Sequence, residues 1–250
     1  MAAFFTGLGL LAVLATLPLR GVRPATHALV LLAAMLLAGQ VLLVYRPPVN
    51  PVAVEAPVSG EWYVVQGGRS ELVNGHNTAV AQDYALDIVQ VVYGESHQGP
   101  ASDLTSYYAW GEPLRAPASG VVTAVVDRYP DQRIGSVDLD HPAGNQVVLA
   151  VGAHRYLAFG HLQSGSTTVS VGDRVETGDL IASVGNSGNS DEPHLHVQAQ
   201  NKATFDVLRP PEGLTNYPLV FAHLEVRRHG AESQPAWADL RRGDSFTRLN

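Results

Sequence analysis

The chain has 250 residues, a formal charge of −7, ten histidines and no cysteine. That length admits one good-sized domain with appendages, and the missing cysteines exclude disulfides and thiolate metal sites, so any metal must be held by histidine and carboxylate. Residues 1–50 carry Arg20, Arg23 and Arg46 and no acid, so the net charge becomes −10 once those three are set aside. Such an acidic remainder excludes a nucleic-acid partner, which needs clustered Lys and Arg.

Hydrophobic residues make up 46% of the chain and charged residues 16%, and the apolar excess is concentrated in the first 45 positions. Ala2–Leu19 and Thr26–Tyr45 are each near the ~20 residues a helix needs to cross a bilayer core. The short segment Arg20-Gly-Val-Arg-Pro24 between them places its arginines in the cytoplasm by the positive-inside rule, so residues 1–45 are expected to form a transmembrane hairpin with both ends facing outward. The alternative is a cleaved signal peptide over residues 1–19. Met1-Ala-Ala-Phe-Phe5 lacks the charged start of such a peptide, which favours the hairpin, and either reading exports the soluble part of the chain. Arg46-Pro-Pro-Val-Asn-Pro51 reads as a stiff spacer within a linker over 46–59.

From Gly60 onward, short runs rich in Val, Ile, Leu, Tyr and Phe alternate with Gly, Pro, Asn and Asp clusters. Gly120-Val-Val-Thr-Ala-Val-Val126, Gln146-Val-Val-Leu-Ala-Val151 and His154-Arg-Tyr-Leu-Ala-Phe159 are the clearest strands, and no segment keeps a helical period over three turns. A mostly antiparallel β-domain is expected over 60–224. Gly111–Val122 and Val171–Val184 look related, each flanking a strand with small or turn-forming residues. Lipoyl and biotinyl carrier domains share that pattern, but they display a lysine on a hairpin tip between such segments, and the only lysine, Lys202, lies beyond both. The tail 225–250, with Arg227, Arg228, Arg241 and Arg242 among acids, lacks hydrophobic period and reads as a loosely packed extension.

Most histidines have ordinary roles in prospect: His27 sits in the anchor, His97, His141 and His154 in turns, His223 and His229 near the C-terminus. His194 and His196 differ. In Glu192-Pro-His-Leu-His-Val-Gln198 a strand sends both imidazoles to one face and Leu195 and Val197 to the other. The preceding Val184-Gly-Asn-Ser-Gly-Asn-Ser190 is a flexible turn that allows close approach to a site. A third ligand is expected from another strand, and Asp87 in Tyr84-Ala-Leu-Asp-Ile-Val89 is a lone acid in an apolar run, costly to bury unless a dication compensates it.

Four stretches taken together, Tyr84-Ala-Leu-Asp87, Ala116-Pro-Ala-Ser-Gly-Val-Val122, Phe159-Gly-His-Leu162 and Gly185-Asn-Ser-Gly188 leading to Pro193-His-Leu-His196, resemble the lysostaphin/LytM-type zinc metallopeptidases. The resemblance runs from about Trp62 to Leu224. It implies a β-sheet domain of the duplicated-hybrid-motif type and Zn²⁺ held by Asp87 and His196, with His194 and His161 as the non-ligand catalytic histidines; the general-base role is assigned here to His194 and transition-state stabilisation to His161, two roles that the pair can share or exchange. The family's first motif is His-x-x-x-Asp, whereas Asp83 stands four residues before Asp87. Either His76, folding back from Val73-Asn-Gly-His-Asn77, or Asp83 itself would complete the sphere; His76 is preferred because two histidines and one carboxylate form a common catalytic zinc set. The resemblance further implies hydrolysis of peptidoglycan stem-peptide cross-links at the outer face of the cytoplasmic membrane, by a periplasmic or extracellular domain. The alternative is a catalytically silent relative that binds peptidoglycan or activates a partner cell-wall hydrolase.

Overall fold

A computed structural model describes residues 24–249, with side chains of the N-terminal helix over residues 25–39. The chain divides into two compact units, one ending at Pro47 and the other beginning at Pro48. The first contains helix α1, Pro24–Tyr45, opening on a proline whose missing N–H costs nothing in the first turn. The other arm of the expected hairpin, over residues 2–19, lies outside the described residues. Among the described residues no helix is long and apolar enough to cross a membrane, so the hairpin is not seen.

The second unit is built from strands. In chain order these are β1 (Val52–Val54), β2 (Glu61–Gln66), β3 (Leu86–Gln90), β4 (Pro113–Arg115), β5 (Gly120–Val126), β6 (Asn145–Gly152), β7 (Arg155–Leu162) and β8 (Arg174–Val175). They continue with β9 (Leu180–Ser183), β10 (Leu195–Gln200), β11 (Asn216–Tyr217), β12 (Leu219–Phe221), β13 (Leu224–Arg228), β14 (Ala231–Ser233) and β15 (Ser245–Arg248). An eleven-stranded antiparallel sheet runs β14-β13-β15-β2-β3-β10-β7-β6-β5-β8, with β11 added to β10. The three runs singled out in the sequence thus become β5, β6 and β7. The two related segments pair with each other, β4 with β9 and β5 with β8.

Alternation sends Trp62, Val64, Leu86, Ile88, Leu157, Phe159, Leu195 and Val197 into one core. The opposite face of β3, β7 and β10 carries the polar site. There Asp87 lies directly across from His196, and Gly160 faces His196 from the other side.

Two boundaries differ from expectation. The spacer does not run to residue 59: β1 pairs in parallel with β12, and Val52, Val54, Ala56 and Val58 are buried in the main core. Their every-second-residue spacing is a strand pattern that the surrounding prolines obscured. Nor is the tail loose. β15 inserts between β13 and β2, and Val226, Ala238, Leu240 and Phe246 join the core. Four apolar residues spread among acids and arginines carry no visible period, yet each is buried in the main core.

Ser187 and Gly188 pack so closely on the segment 142–145 that neither Gly144 nor Gly188 has room for a Cβ. A Cβ on Gly144, whose φ is +61°, would stand 2.4 Å from the Ser187 carbonyl oxygen. Gly144→Ala is therefore expected to destabilise the domain by about 2–3 kcal/mol, from overpacking plus left-handed backbone strain, read as a lowered denaturation midpoint of the full chain.

Candidate metal and catalytic site

Asp87 is the hub. His76 Nε2 lies 2.7 Å from its Oδ2, and His196 Nδ1 lies 2.9 Å from its Oδ1. His194 Nε2 stands 3.8 Å from Oδ1. One nitrogen from each of His76 and His196 and one oxygen of Asp87 all fall within 4.8 Å of one another. Asp83 is not in this cluster, so of the two candidates for the third position it is His76 that the fold brings to Asp87.

A local device brings it there. Fully buried Asn74 donates through Nδ2 to the carbonyls of Gly68 and Ala85, tying the loop to the start of β3, and accepts the His76 N–H at Oδ1. The 3-10 turn Gly75–Thr78 then presents the imidazole to Asp87.

The other two histidines are held by the Gly185–Ser190 loop. His161, with a φ of +60°, donates from Nδ1 to the Ser187 carbonyl at 2.8 Å. His194 Nδ1 lies 2.9 Å from the Glu192 carbonyl and 3.1 Å from Ser190 Oγ. The loop is not the flexible turn its composition suggested: Asn186, Ser187 and Ser190 are buried and hydrogen-bonded. Polar side chains that would bond water in an exposed turn bond backbone here, which makes the loop a rigid mount. His161 and His194 lie side by side, ring centroids 4.7 Å apart, and with His76 and Asp87 they line a cleft of about 360 Å³.

Whether a cation belongs at this hub can be tested on the hydrogen bonds. Along the polar face of β10, His196, Gln198 and Gln200 are stacked and buried. Gln198 Nε2 points at three acceptors, the Ala81 carbonyl, Gln200 Oε1 and Asn216 Oδ1, so its Oε1 must face His196 Nε2, 3.1 Å away. Gln200 is oriented in turn by donating to the Lys202 and Thr204 carbonyls. His196 therefore carries its proton on Nε2, and in the neutral ring the bare Nδ1 faces a carboxylate oxygen. Two acceptors at 2.9 Å require a positive charge between them. A proton is disfavoured, because burial pulls the His196 pKa down against the pull of Asp87. A dication satisfies both atoms, and the donor set of two imidazoles and one carboxylate suits zinc.

Burial opposes ionisation of Asp87, but the neighbouring His194, His196 and His76 outweigh it and hold the carboxyl well below its ordinary range. Burial also opposes protonation of His76, but Asp87, with help from a Gln82 hydrogen bond, raises its pKa. His161 is driven well below the usual imidazole value by burial and then by His194 and His196, so it is neutral at neutral pH.

Residues 102–206 match the profile of Peptidase family M23. That span of the chain is similar to an M23 peptidase domain. The matched span includes His161, His194 and His196 but begins beyond His76 and Asp87, so for those two the tertiary structure alone supplies the connection. Among solved structures the chain is similar to a zinc-containing peptidase from Vibrio cholerae, 22% identical over 46% of this chain and 26% of that one, TM-score 0.30. It is also similar to a putative peptidase M23 from Pseudomonas aeruginosa, 20% identical over 67% and 54%, TM-score 0.36. A third is the catalytic domain of the antimicrobial peptidase lysostaphin from Staphylococcus simulans, 21% identical over 60% and 86%, TM-score 0.35. The chain thus spans about a quarter of the Vibrio protein and about half of the Pseudomonas one.

The glutamine ladder was not singled out in the sequence, although its signal, polar residues at every second place of an otherwise apolar strand, is plain in His196-Val-Gln-Ala-Gln200. Gln198→Leu, which removes the acceptor that fixes the His196 tautomer, is expected to weaken zinc binding about 10–100-fold by competition with a chelating indicator.

Proposed function

We propose that the chain is a zinc-dependent endopeptidase that hydrolyses peptide cross-links of bacterial peptidoglycan at the outer face of the cytoplasmic membrane. The observation that carries this reading is the convergence of His76 and His196 on Asp87, beside two further histidines whose outer nitrogens are free to face a cleft. The location rests on the sequence reading that the soluble part is exported.

Zinc, when bound, supplies Lewis acidity, lowering the pKa of a water towards ~7 and polarising a carbonyl. The histidines supply proton transfer. His194 keeps its Nδ1 proton on the Glu192 carbonyl and offers Nε2 to the cleft; a proton taken there from the attacking water gives an imidazolium stabilised by Asp87, and the same atom returns it to the leaving amine. His161 was expected to stabilise the developing oxyanion. Its Nδ1–H is committed to Ser187 and its ring is neutral, so Nε2 is an acceptor, suited to orienting the attacking water rather than donating to an oxyanion.

The silent-domain alternative predicts gaps among these five residues, and all five are present and assembled. The decisive experiment is metal analysis of the purified full chain in detergent, alongside digestion of purified peptidoglycan with detection of newly released amino groups. Near-stoichiometric zinc with amine release is the expected result. Absence of both would replace the enzyme by a peptidoglycan-binding module.

A further inference from the structure

The residues after 224 lie outside the matched family span, yet they reach the loop that carries His76. Asp239, between β14 and β15, accepts from the Arg69 guanidinium at 2.7 Å, and both side chains are largely buried. Arg241 shares the same carboxylate oxygen at 2.9 Å. The turn bearing Asp239 is itself anchored. Asp244, 1% exposed, accepts two bonds from Arg228 at 2.7 and 2.6 Å and the Arg241 N–H at 2.8 Å. The same turn donates the Arg242 and Gly243 N–H groups to the carbonyls of Gly67 and Val64.

From Arg69 the path to the metal ligand is short. The adjacent Gly68 carbonyl accepts Asn74 Nδ2 at 3.0 Å and Asn77 Nδ2 at 3.2 Å, and Asn74 Oδ1 accepts the backbone N–H of His76. Arg69 is thus one residue from the carbonyl on which the device orienting His76 is hung. Loops of this length move unless fixed from outside, and here the outside contacts include a buried charge pair to a braced turn, beside the Arg242 N–H bond to the Gly67 carbonyl.

We propose that the C-terminal segment is a positioning element of the metal site, acting through the Asp239–Arg69 pair, which holds the 67–78 loop so that His76 meets Asp87. The proposal rests on the assignment of His76, Asp87 and His196 as the metal ligands. Arg69 and Asp239 touch neither metal nor substrate. They lower the cost of ordering His76, so their loss is expected to raise the zinc dissociation constant roughly tenfold, at the lower end of what supporting residues contribute.

The test measures zinc affinity and melting temperature of the full chain for wild type, Arg69→Met, Asp239→Asn, Asp239→Glu and His76→Ala, with Phe246→Leu as a variant that destabilises the same segment without touching the pair. Expected are weaker zinc binding in Arg69→Met and Asp239→Asn, recovery in Asp239→Glu, and unchanged affinity in Phe246→Leu. Hydrogen exchange of the metal-free wild type and Asp239→Asn should show faster exchange confined to residues 67–78, which keeps the proposal testable if Arg69→Met fails to fold. Affinities within about twofold of wild type, or losses that simply track melting temperature across all variants, would overturn it. If instead wild type binds no zinc, or His76→Ala binds it as well as wild type, the ligand assignment itself is at fault.

Discussion

Asp87→Ala is expected to abolish zinc retention and reduce peptidoglycan hydrolysis to background, with His76→Ala and His196→Ala close behind. Among the described residues Asp87 is the only carboxylate at the hub, and it faces three of the four histidines, at 2.7, 2.9 and 3.8 Å. Without it, two imidazoles remain with no anion to balance a dication in a buried setting, and such a site binds poorly. Asp87→Asn separates charge from shape. The amide can still accept from a histidine, so the fold should survive while metal binding fails. Metal content by elemental analysis and melting temperature, measured on the same preparations, check both statements. Retention of near-stoichiometric zinc in Asp87→Asn would show that the ligands lie elsewhere.

His194→Ala should behave in the opposite way, keeping its zinc while kcat falls about 10²–10⁴-fold, the usual contribution of a positioned general base. His194 is not needed to complete the donor set, and its mount on Ser190 and the Glu192 carbonyl is independent of Asp87. His161→Ala should also retain metal, with a smaller loss of kcat if its part is to orient the water by accepting a hydrogen bond. His161→Gln offers an acceptor in a similar place and should recover part of the rate. Single-turnover hydrolysis of a cross-linked peptide, with zinc content verified for each variant, distinguishes these roles. Loss of zinc in His194→Ala would make it a ligand rather than a base.

Elements differed in how far the sequence revealed them, for physical reasons. β5, β6 and β7 were legible because β-branched runs between turn residues describe a strand wherever it packs. β1 was less so, since its alternating valines are short and set among prolines. The tail misled because β13, β14 and β15 are stabilised by the partner strands and core they meet, which no local period encodes. In the site, the shared face of His194 and His196 and the isolated acid Asp87 follow from strand geometry alone.

What the amino-acid order determined by itself was therefore the set of donors: no cysteine, a His-x-His strand, a lone aspartate, and a short choice between His76 and Asp83. Only the tertiary structure brings one of those two, His76, to Asp87. His76 and Asp87 are eleven residues apart and Asp87 and His196 are 109 apart, so their meeting depends on sheet register and on a loop tied by Asn74. The tautomers of His161, His194 and His196 depend likewise on Ser187, Glu192 and Gln198. Which nitrogen is free to bind a metal or accept a proton is set by what the other nitrogen touches, and that is a property of packing in three dimensions.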